Sequence, residues 1–234
     1  MAGFIESLKA TMENLSNKMN ASQEELQKRA SVFNDPIAEK IEWTPLKRGG
    51  ASVYTYILKE ENGRLIFSSS IWMKITASIF TIVGLFILLI TITSKGYESF
   101  MMFGIISFIF IGIGAWLLYY YSIPIIFDNI AGYHYRGKIR TNFNFISNDK
   151  FIEIKSIHAV QVISEYVRGN KTSFYSYEIN LVLNDLRRIN VIDHGNLDMI
   201  KKDAKLIGDY LSIPVWELSE NQNGKNLFET IIQG

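Results

Sequence analysis

The residues of this chain best suited to chemistry are few and scattered. Three histidines, His134, His158 and His194, each stand alone in strand or turn contexts. None has the i, i+4 partner or the acidic company that a zinc site requires, so no metal site is expected. Asp193-His194 has the composition of an acid/base pair, but neighbouring strand residues point to opposite faces, and a turn or capping role is the simpler expectation. The chain has no cysteine, which removes thiolate catalysis, sulfur-liganded zinc and any disulfide framework, and fits a reducing cytosolic face. Gly-x-Ser-x-Gly, a Walker-type phosphate loop and Gly-x-Gly-x-x-Gly after a strand are all missing. Gly112-x-Gly114 lies inside an apolar helix, where glycine serves packing. No catalytic residue, metal or cofactor is therefore expected, and an enzyme acting on lipid would need a constellation that these residues do not supply.

Charge offers little more. Lys plus Arg number 24 and Asp plus Glu 23, so there is no global electrostatic case for nucleic acid or an acidic substrate. Locally, Arg136, Lys138 and Arg140 cluster downstream of the apolar region, and Lys47, Arg48 and Lys74 precede or begin it. These six are the candidate contacts to anionic lipid headgroups; ordinary flanking charge that fixes topology is the competing reading. Arg187-Arg188 and Arg168-Gly169-Asn170-Lys171 decorate later turns and read as solvated surface.

The elements that would position these residues begin with the membrane. From Ile75 to Thr93 no residue is charged, and at ~1.5 Å per residue such a helix is about as long as the ~30 Å hydrocarbon core. A second uncharged run extends from Phe100 to Phe127, with Pro124 as a helix stop. Spans are expected over about 71–93 and 100–122, joined by the tight turn Ser94-Lys95-Gly96-Tyr97-Glu98-Ser99. Trp72, Trp116, Tyr119, Tyr120 and Tyr121 would fall at one interface of this hairpin, where amphipathic rings favour the headgroup level. The lysines and arginines lie mainly on the outer flanks, so both termini should face the cytoplasm. No ionisable group sits at mid-membrane, which argues against a proton relay or charged-substrate transporter; Lys74 can snorkel to the interface. Ala77, Thr81, Gly84 and Thr91 on one span and Gly104, Ser107 and Gly114 on the other allow close helix packing, within the hairpin or between subunits.

Residues 1–35 carry Ile5, Leu8, Met12, Leu15, Met19 and Leu26 at alternating steps of three and four, broken by Ser22, with Phe33 one heptad beyond. This amphipathic, coiled-coil-like helix has three readings: self-association, docking on the chain's own soluble domain, or lying on the membrane. The mixed charge of Glu6, Glu13, Glu24 and Glu25 with Lys9, Lys18, Lys28 and Arg29 disfavours the last. No cleavable signal peptide is read in the opening residues, and Asn34-Asp35-Pro36 terminates the helix.

The remaining segments read as short strands. Residues 45–70 form a β-hairpin joining the soluble domain, with Glu61-Asn62-Gly63 as its turn. Residues 124–217 continue with Pro124–Asp128, Gly132–Gly137, Phe151–Ile154, His158–Ile163, Phe174–Leu183 and Arg188–Ile192. In the clearest, Tyr177, Ile179, Leu181 and Leu183 alternate with Ser176, Glu178 and Asn180, predicting one buried and one wet face. Asn196 should cap a helix placing Leu197, Ile200, Ala204, Ile207 and Leu211 on one face, ending before Pro214. The tail 218–234 offers Leu227, Phe228, Ile231 and Ile232 for a short docking helix.

Two spans, the hairpin residues Phe127, Asp128, Gly132, Arg136, Gly137 and Lys138, and the ending Ala-x-x-Ile-x-x-Tyr-Leu-x-Ile-Pro-Val from Ala204 to Val215 together resemble the uncharacterised bacterial two-span membrane proteins with a pleckstrin-homology-like domain. They are more distantly similar to the membrane-bound photosystem I assembly factor. The resemblance covers roughly residues 45–216; the N-terminal helix is not part of it, and it brings no catalytic residues. It implies an α+β membrane protein of the bacterial inner membrane, a transmembrane hairpin plus a pleckstrin-homology-like β-barrel capped by a C-terminal helix. The expected function is a non-enzymatic, membrane-anchored scaffold that meets membrane lipid and either a protein partner or further copies of itself, with no nucleic acid or metal. The alternative is an oligomeric pore or membrane-perturbing effector, gating by wetting because no charged ring lines it.

Overall fold

A computed structural model describes residues 5, 6, 9, 12, 13, 24–93, 97–137, 151–169 and 172–218, with the backbone alone for 97–100. The chain is mixed α+β and folds as two compact units, Tyr54–Ile154 and the pair of segments Met1–Val53 and Lys155–Gly234.

In the unit Tyr54–Ile154, five strands pair antiparallel in chain order: β1 (Tyr56–Glu61), β2 (Arg64–Ser69), β3 (Ile125–Asp128), β4 (Tyr133–Arg136) and β5 (Phe151–Glu153). The β1–β2 turn is the two-residue Asn62-Gly63, with φ of 52° and 70°, a conformation whose twist suits a tight hairpin and which Asn and Gly tolerate best. Period-two alternation buries Leu65 and Phe67 of β2, and β3 is buried throughout. Asp128 closes the β3–β4 turn by accepting the N–H groups of Ile130 and Ala131, and it pairs with Arg64 at 2.6 Å. His134 lies in this core against Phe127, and burial lowers its pKa to about 3, so it is neutral at physiological pH.

Between β2 and β3 the chain forms two long helices, α3 (Ile71–Thr93) and α4 (Tyr97–Tyr121), both long and apolar enough to cross a membrane. The first coincides with the expected span; the second begins within the segment read as the turn. They pack antiparallel through their smallest residues. A Cβ on Gly84 would meet Ile111 N at 2.8 Å and Ser107 O at 2.9 Å, and one on Gly114 would meet Thr81 N at 2.6 Å and Ala77 O at 3.0 Å. Glycine is required there because backbone faces backbone. The Ser69 hydroxyl donates to the Tyr121 carbonyl, fastening the two roots of the hairpin.

In the other unit the sheet order is β8-β7-β6-β9. Strands β6 (Ile157–Arg168), β7 (Ser173–Leu183) and β8 (Arg188–His194) pair antiparallel, and the short β9 (Val215–Glu217) lies parallel to β6. Helix α5 (Leu197–Leu211) starts as expected, the Asn196 side chain accepting Met199 N–H at 3.1 Å, and stops at Ser212 in the left-handed conformation. Its buried face holds Ile200, Ala204 and Ile207, and also Asp203, which the periodicity did not place there. Upstream, residues 24–30 are helical (α1), a 3-10 turn spans Ser31–Phe33, and α2 (Pro36–Lys40) is capped by Asp35. This N-terminal arm buries Leu26, Ala30, Ala38, Ile41 and Trp43 against Ala159, Ile163, Val182 and Trp216.

Candidate functional site

The largest departure from the expected pattern lies on β7. Ser176, Glu178 and Asn180, which alternation assigned to a wet face, are as buried as the apolar residues between them, Glu178 being 2% exposed. The cover is the segment from Glu42 to Ser52, a strap without regular secondary structure that follows the arm. Most of its hydrogen bonds to the sheet run through main-chain atoms, while Trp43 is buried and the Glu42 side chain meets Arg188 at 3.2 Å.

Burying a carboxylate is costly unless donors replace its water. Glu178 receives Leu46 N–H at 2.9 Å and Lys47 N–H at 2.7 Å, one on each oxygen, with Asn180 and Asn190 amides at 3.1 and 3.3 Å. Glu165 of β6 accepts Gly49 N–H at 3.2 Å and the Ser176 hydroxyl accepts Ala51 N–H at 2.8 Å. From the sheet, Arg188 donates to Thr44 O at 2.8 Å and Gln161 to Glu42 O at 3.1 Å. Burial raises the Glu165 pKa, and the nearby Glu178 and Asp193 carboxylates add to that, while the Gly49 N–H and Arg48 oppose it. Gly50, at φ +37°, is pressed so closely on Ser176 that a Cβ would collide with its side chain. The Gly49-Gly50 pair is thus a seated part of the strap.

The arm leading to the strap is fixed by rings and by the contact between Asp35 and His158. Phe33 stacks on Trp43 at 5.5 Å and touches Trp216, and the Trp43 indole donates to Ala38 O at 2.9 Å. His158 Nε2 lies 2.7 Å from Asp35 Oδ2, while Asp35 Oδ1 caps α2 at Ile37 N–H. Although burial works to raise the Asp35 pKa, His158 and the Ile37 N–H outweigh it and leave it below the usual carboxylate range. The sequence reading left His158 alone because its partner lies far upstream. His194 takes the capping role expected of it, Nδ1 accepting Asn196 N–H at 2.8 Å, and Asp193 turns the other way toward Asn190 and Lys47.

The candidate lipid contacts divide between the units. Lys47, in the strap, lies 3.9 Å from Asp193, and Arg48 is its exposed neighbour. Lys74, on the first turn of α3, is exposed, and Arg136 ends β4 with its guanidinium 6.0 Å from the Tyr56 ring, both in the unit Tyr54–Ile154. Lys138 and Arg140 lie outside the described residues. Of the seam, Leu26 is buried, Ile5 and Met12 are 52% and 66% exposed, and Leu8, Leu15 and Met19 lie outside the described residues, as does the tail beyond Leu218. Ala77, Thr81, Gly84, Ser107 and Gly114 lie between α3 and α4; Gly104 is buried, with no atom within 4 Å of the Cβ position.

The outward sides of the two helices are uncovered. Ile75, Ile79, Ile82, Phe86, Phe108 and Ile109 are all more than two-fifths exposed, and so are Trp72, Trp116, Tyr119 and Tyr120 at the hairpin roots. An exposed apolar surface of this extent marks contact with lipid or another apolar partner. Among the described residues, no group of three or more His, Asp or Glu side chains is placed to hold a metal ion.

The sequence missed the polar cluster formed by Gln161, Glu178, Asn180, Arg188 and Asn190. Its available signal was polar side chains facing one another across three neighbouring strands, with Glu178 and Asn180 on the central one. Comparison of the chain with protein-family models, curated proteins and solved structures finds no match in any of the three.

Proposed function

We propose that this chain is a non-enzymatic scaffold of the cytoplasmic membrane, anchored by α3 and α4, with both termini cytoplasmic and a pleckstrin-homology-like domain offered to a protein partner or a neighbouring copy. The observation that carries this reading is the helical hairpin. Its inner faces meet backbone to backbone, while its outer faces hold uncovered aliphatic and aromatic side chains and carry aromatic rings at the roots. Close packing on glycine is a means of helix association that works without water to drive it, and rings at one end suit a headgroup layer. The antiparallel strands β6, β7 and β8, followed by the single amphipathic helix before Pro214, support the pleckstrin-homology-like assignment.

The arm supports a binding role over turnover. The groups that could have served chemistry are engaged in holding chain to chain: Glu178 and Ser176 bind the strap, Asp35 and His158 bind each other, and His194 caps a turn. The test is the mass of the detergent-solubilised protein, together with capture of proteins from the host membrane and ion flux in liposomes. An oligomer or a reproducible partner complex without flux supports the scaffold. A monomer that captures nothing contradicts it, and flux through an oligomer moves the account to the pore.

A further inference from the structure

We propose that the root of the helical hairpin holds the phosphate of an anionic phospholipid headgroup between the Arg136 guanidinium and the Tyr56 phenol. This rests on the membrane-anchored reading above and narrows its lipid contacts to one place. Tyr56 opens β1 and Arg136 ends β4, yet the guanidinium carbon lies 6.0 Å from the Tyr56 ring, although β2 and β3 separate their strands. The register explains the meeting. Tyr56 pairs with Ser69, Phe67 with Ile125 and Ile125 with Arg136, so the period of two puts all of them on one face of the sheet. They occupy the end from which α3 departs and to which α4 returns. Phe67 and Ile125 form the buried floor there, whereas Arg136 is exposed and Tyr56 partly buried.

The pair has the chemistry that a phosphate needs. A guanidinium presents its donors as a planar fork that matches two oxygens of one phosphate. Burial raises the Tyr56 pKa; Arg136 opposes this, and the Tyr120 and Tyr121 phenols add to it. The Tyr56 hydroxyl therefore keeps its proton and serves as a second donor. Lys74, exposed on the first turn of α3, adds positive charge at the same roots.

The sheet also keeps its negative charge away from this end. Glu61, Asp128 and Glu153 fall in one row with Arg64, and Glu60 stands in the row beside it. At ~3.4 Å per residue, the Asp128 row is about 10 Å along the strands from the Arg136 row. Asp128 is in addition engaged by Arg64. An anion at the root thus meets cations and is remote from the carboxylates of these strands.

What selects a lipid over a soluble phosphate is the surface that continues from the site. Tyr120 stacks on Trp116 at 5.9 Å and meets Tyr121 edge-on at 5.6 Å, and Trp72, Trp116 and Tyr119 are each more than three-fifths exposed. Beyond them run the uncovered aliphatic sides of α3 and α4. A phospholipid satisfies both parts at once, its phosphate at Arg136 and Tyr56 and its acyl chains along the helices. A free phosphate would use only the first.

The test is lipid retention by the full-length protein, purified in a neutral detergent and read by native mass spectrometry. The protein is titrated with phosphatidylglycerol, with phosphatidylcholine of the same chains and with glycerol 3-phosphate. The parent should hold phosphatidylglycerol at least about tenfold more tightly than either of the others, the scale of one charged hydrogen-bonded contact. Arg136→Gln should remove most of that preference. Tyr56→Phe, which keeps the ring and loses only the hydroxyl, should weaken it several-fold. Lys59→Gln removes the same charge from an exposed position on β1 and should leave it unchanged. Equal retention of the two lipids, or equal losses in Arg136→Gln and Lys59→Gln, overturns the proposal. Glycerol 3-phosphate binding as tightly as phosphatidylglycerol makes the ligand a soluble phosphate and overturns it also. The anchored reading fails separately. A chain released from membranes by alkaline carbonate has no anchor, and the proposal falls with it; one that resists release without a lipid preference keeps its anchor and lacks the site.

Discussion

Glu178 shows how one side chain decides the character of a surface. Its carboxylate binds two consecutive strap N–H groups, and hydrogen bonds to a charged acceptor contribute more than neutral ones. Glu178→Gln removes the charge and turns a donor toward a donor, so we expect a loss of about 1–3 kcal/mol. Hydrogen exchange at the Leu46 and Lys47 amides should accelerate well before global unfolding. Asp203 acts in the opposite sense. Burial raises its pKa from 3.8 to about 6, against a smaller opposing effect of Lys202, so the folded state prefers the protonated form. Stability contributed by this group is present below the unfolded value near 3.8 and declines as pH rises through about 6. Asp203→Asn should therefore melt higher than the parent at pH 7.5 and match it near pH 4, as thermal denaturation in detergent can read. A parent equally stable relative to the variant at both pH values would show that Asp203 is solvated.

At the level of elements, the hairpin gives the sharpest contrast. Gly114→Ala puts a Cβ 2.6 Å from Thr81 N, whereas at Gly112 nothing lies within 4 Å of that position. Overpacking of a tight interface costs about 1–3 kcal/mol, so Gly114→Ala and Gly84→Ala should lower the detergent melting temperature, and Gly112→Ala should not. In the arm, Trp43→Ala empties a buried site, a change that costs about 3–5 kcal/mol in well-packed cores. Limited trypsin digestion should then cut after Lys40 and Arg48 several-fold faster than in the parent. These elements also show what was legible in the residues. Asn62-Gly63 announced its turn because few residues accept positive φ, the 3.6 periodicity marked α5, and uncharged length marked the two long helices. The strap was invisible because it has no period of its own, most of its hydrogen bonds using backbone atoms that every residue shares. That also misled the reading of β7, since alternation separates polar from apolar without saying whether water or another stretch of chain meets the polar side. Asp203 escaped for a related reason: a charged residue on the apolar face breaks the pattern from which burial is inferred.

In the whole molecule the apolar hairpin falls, in chain order, between the N-terminal arm and the strands on which that arm packs. Such an arrangement requires residues on either side of the hairpin to share one side of the membrane, because the arm and the C-terminal sheet form one compact unit. The native absence of cysteine makes the measurement direct. Single cysteines at Val32, Arg187 and Lys95 are labelled with a membrane-impermeant maleimide in intact bacterial cells and again after the membrane is opened. The account predicts that the cysteine at position 95, in the short connection between the helices, reacts in intact cells, and that those at 32 and 187 react only after opening. Labelling of all three on the same side would contradict a membrane-spanning hairpin, and with it the anchored scaffold.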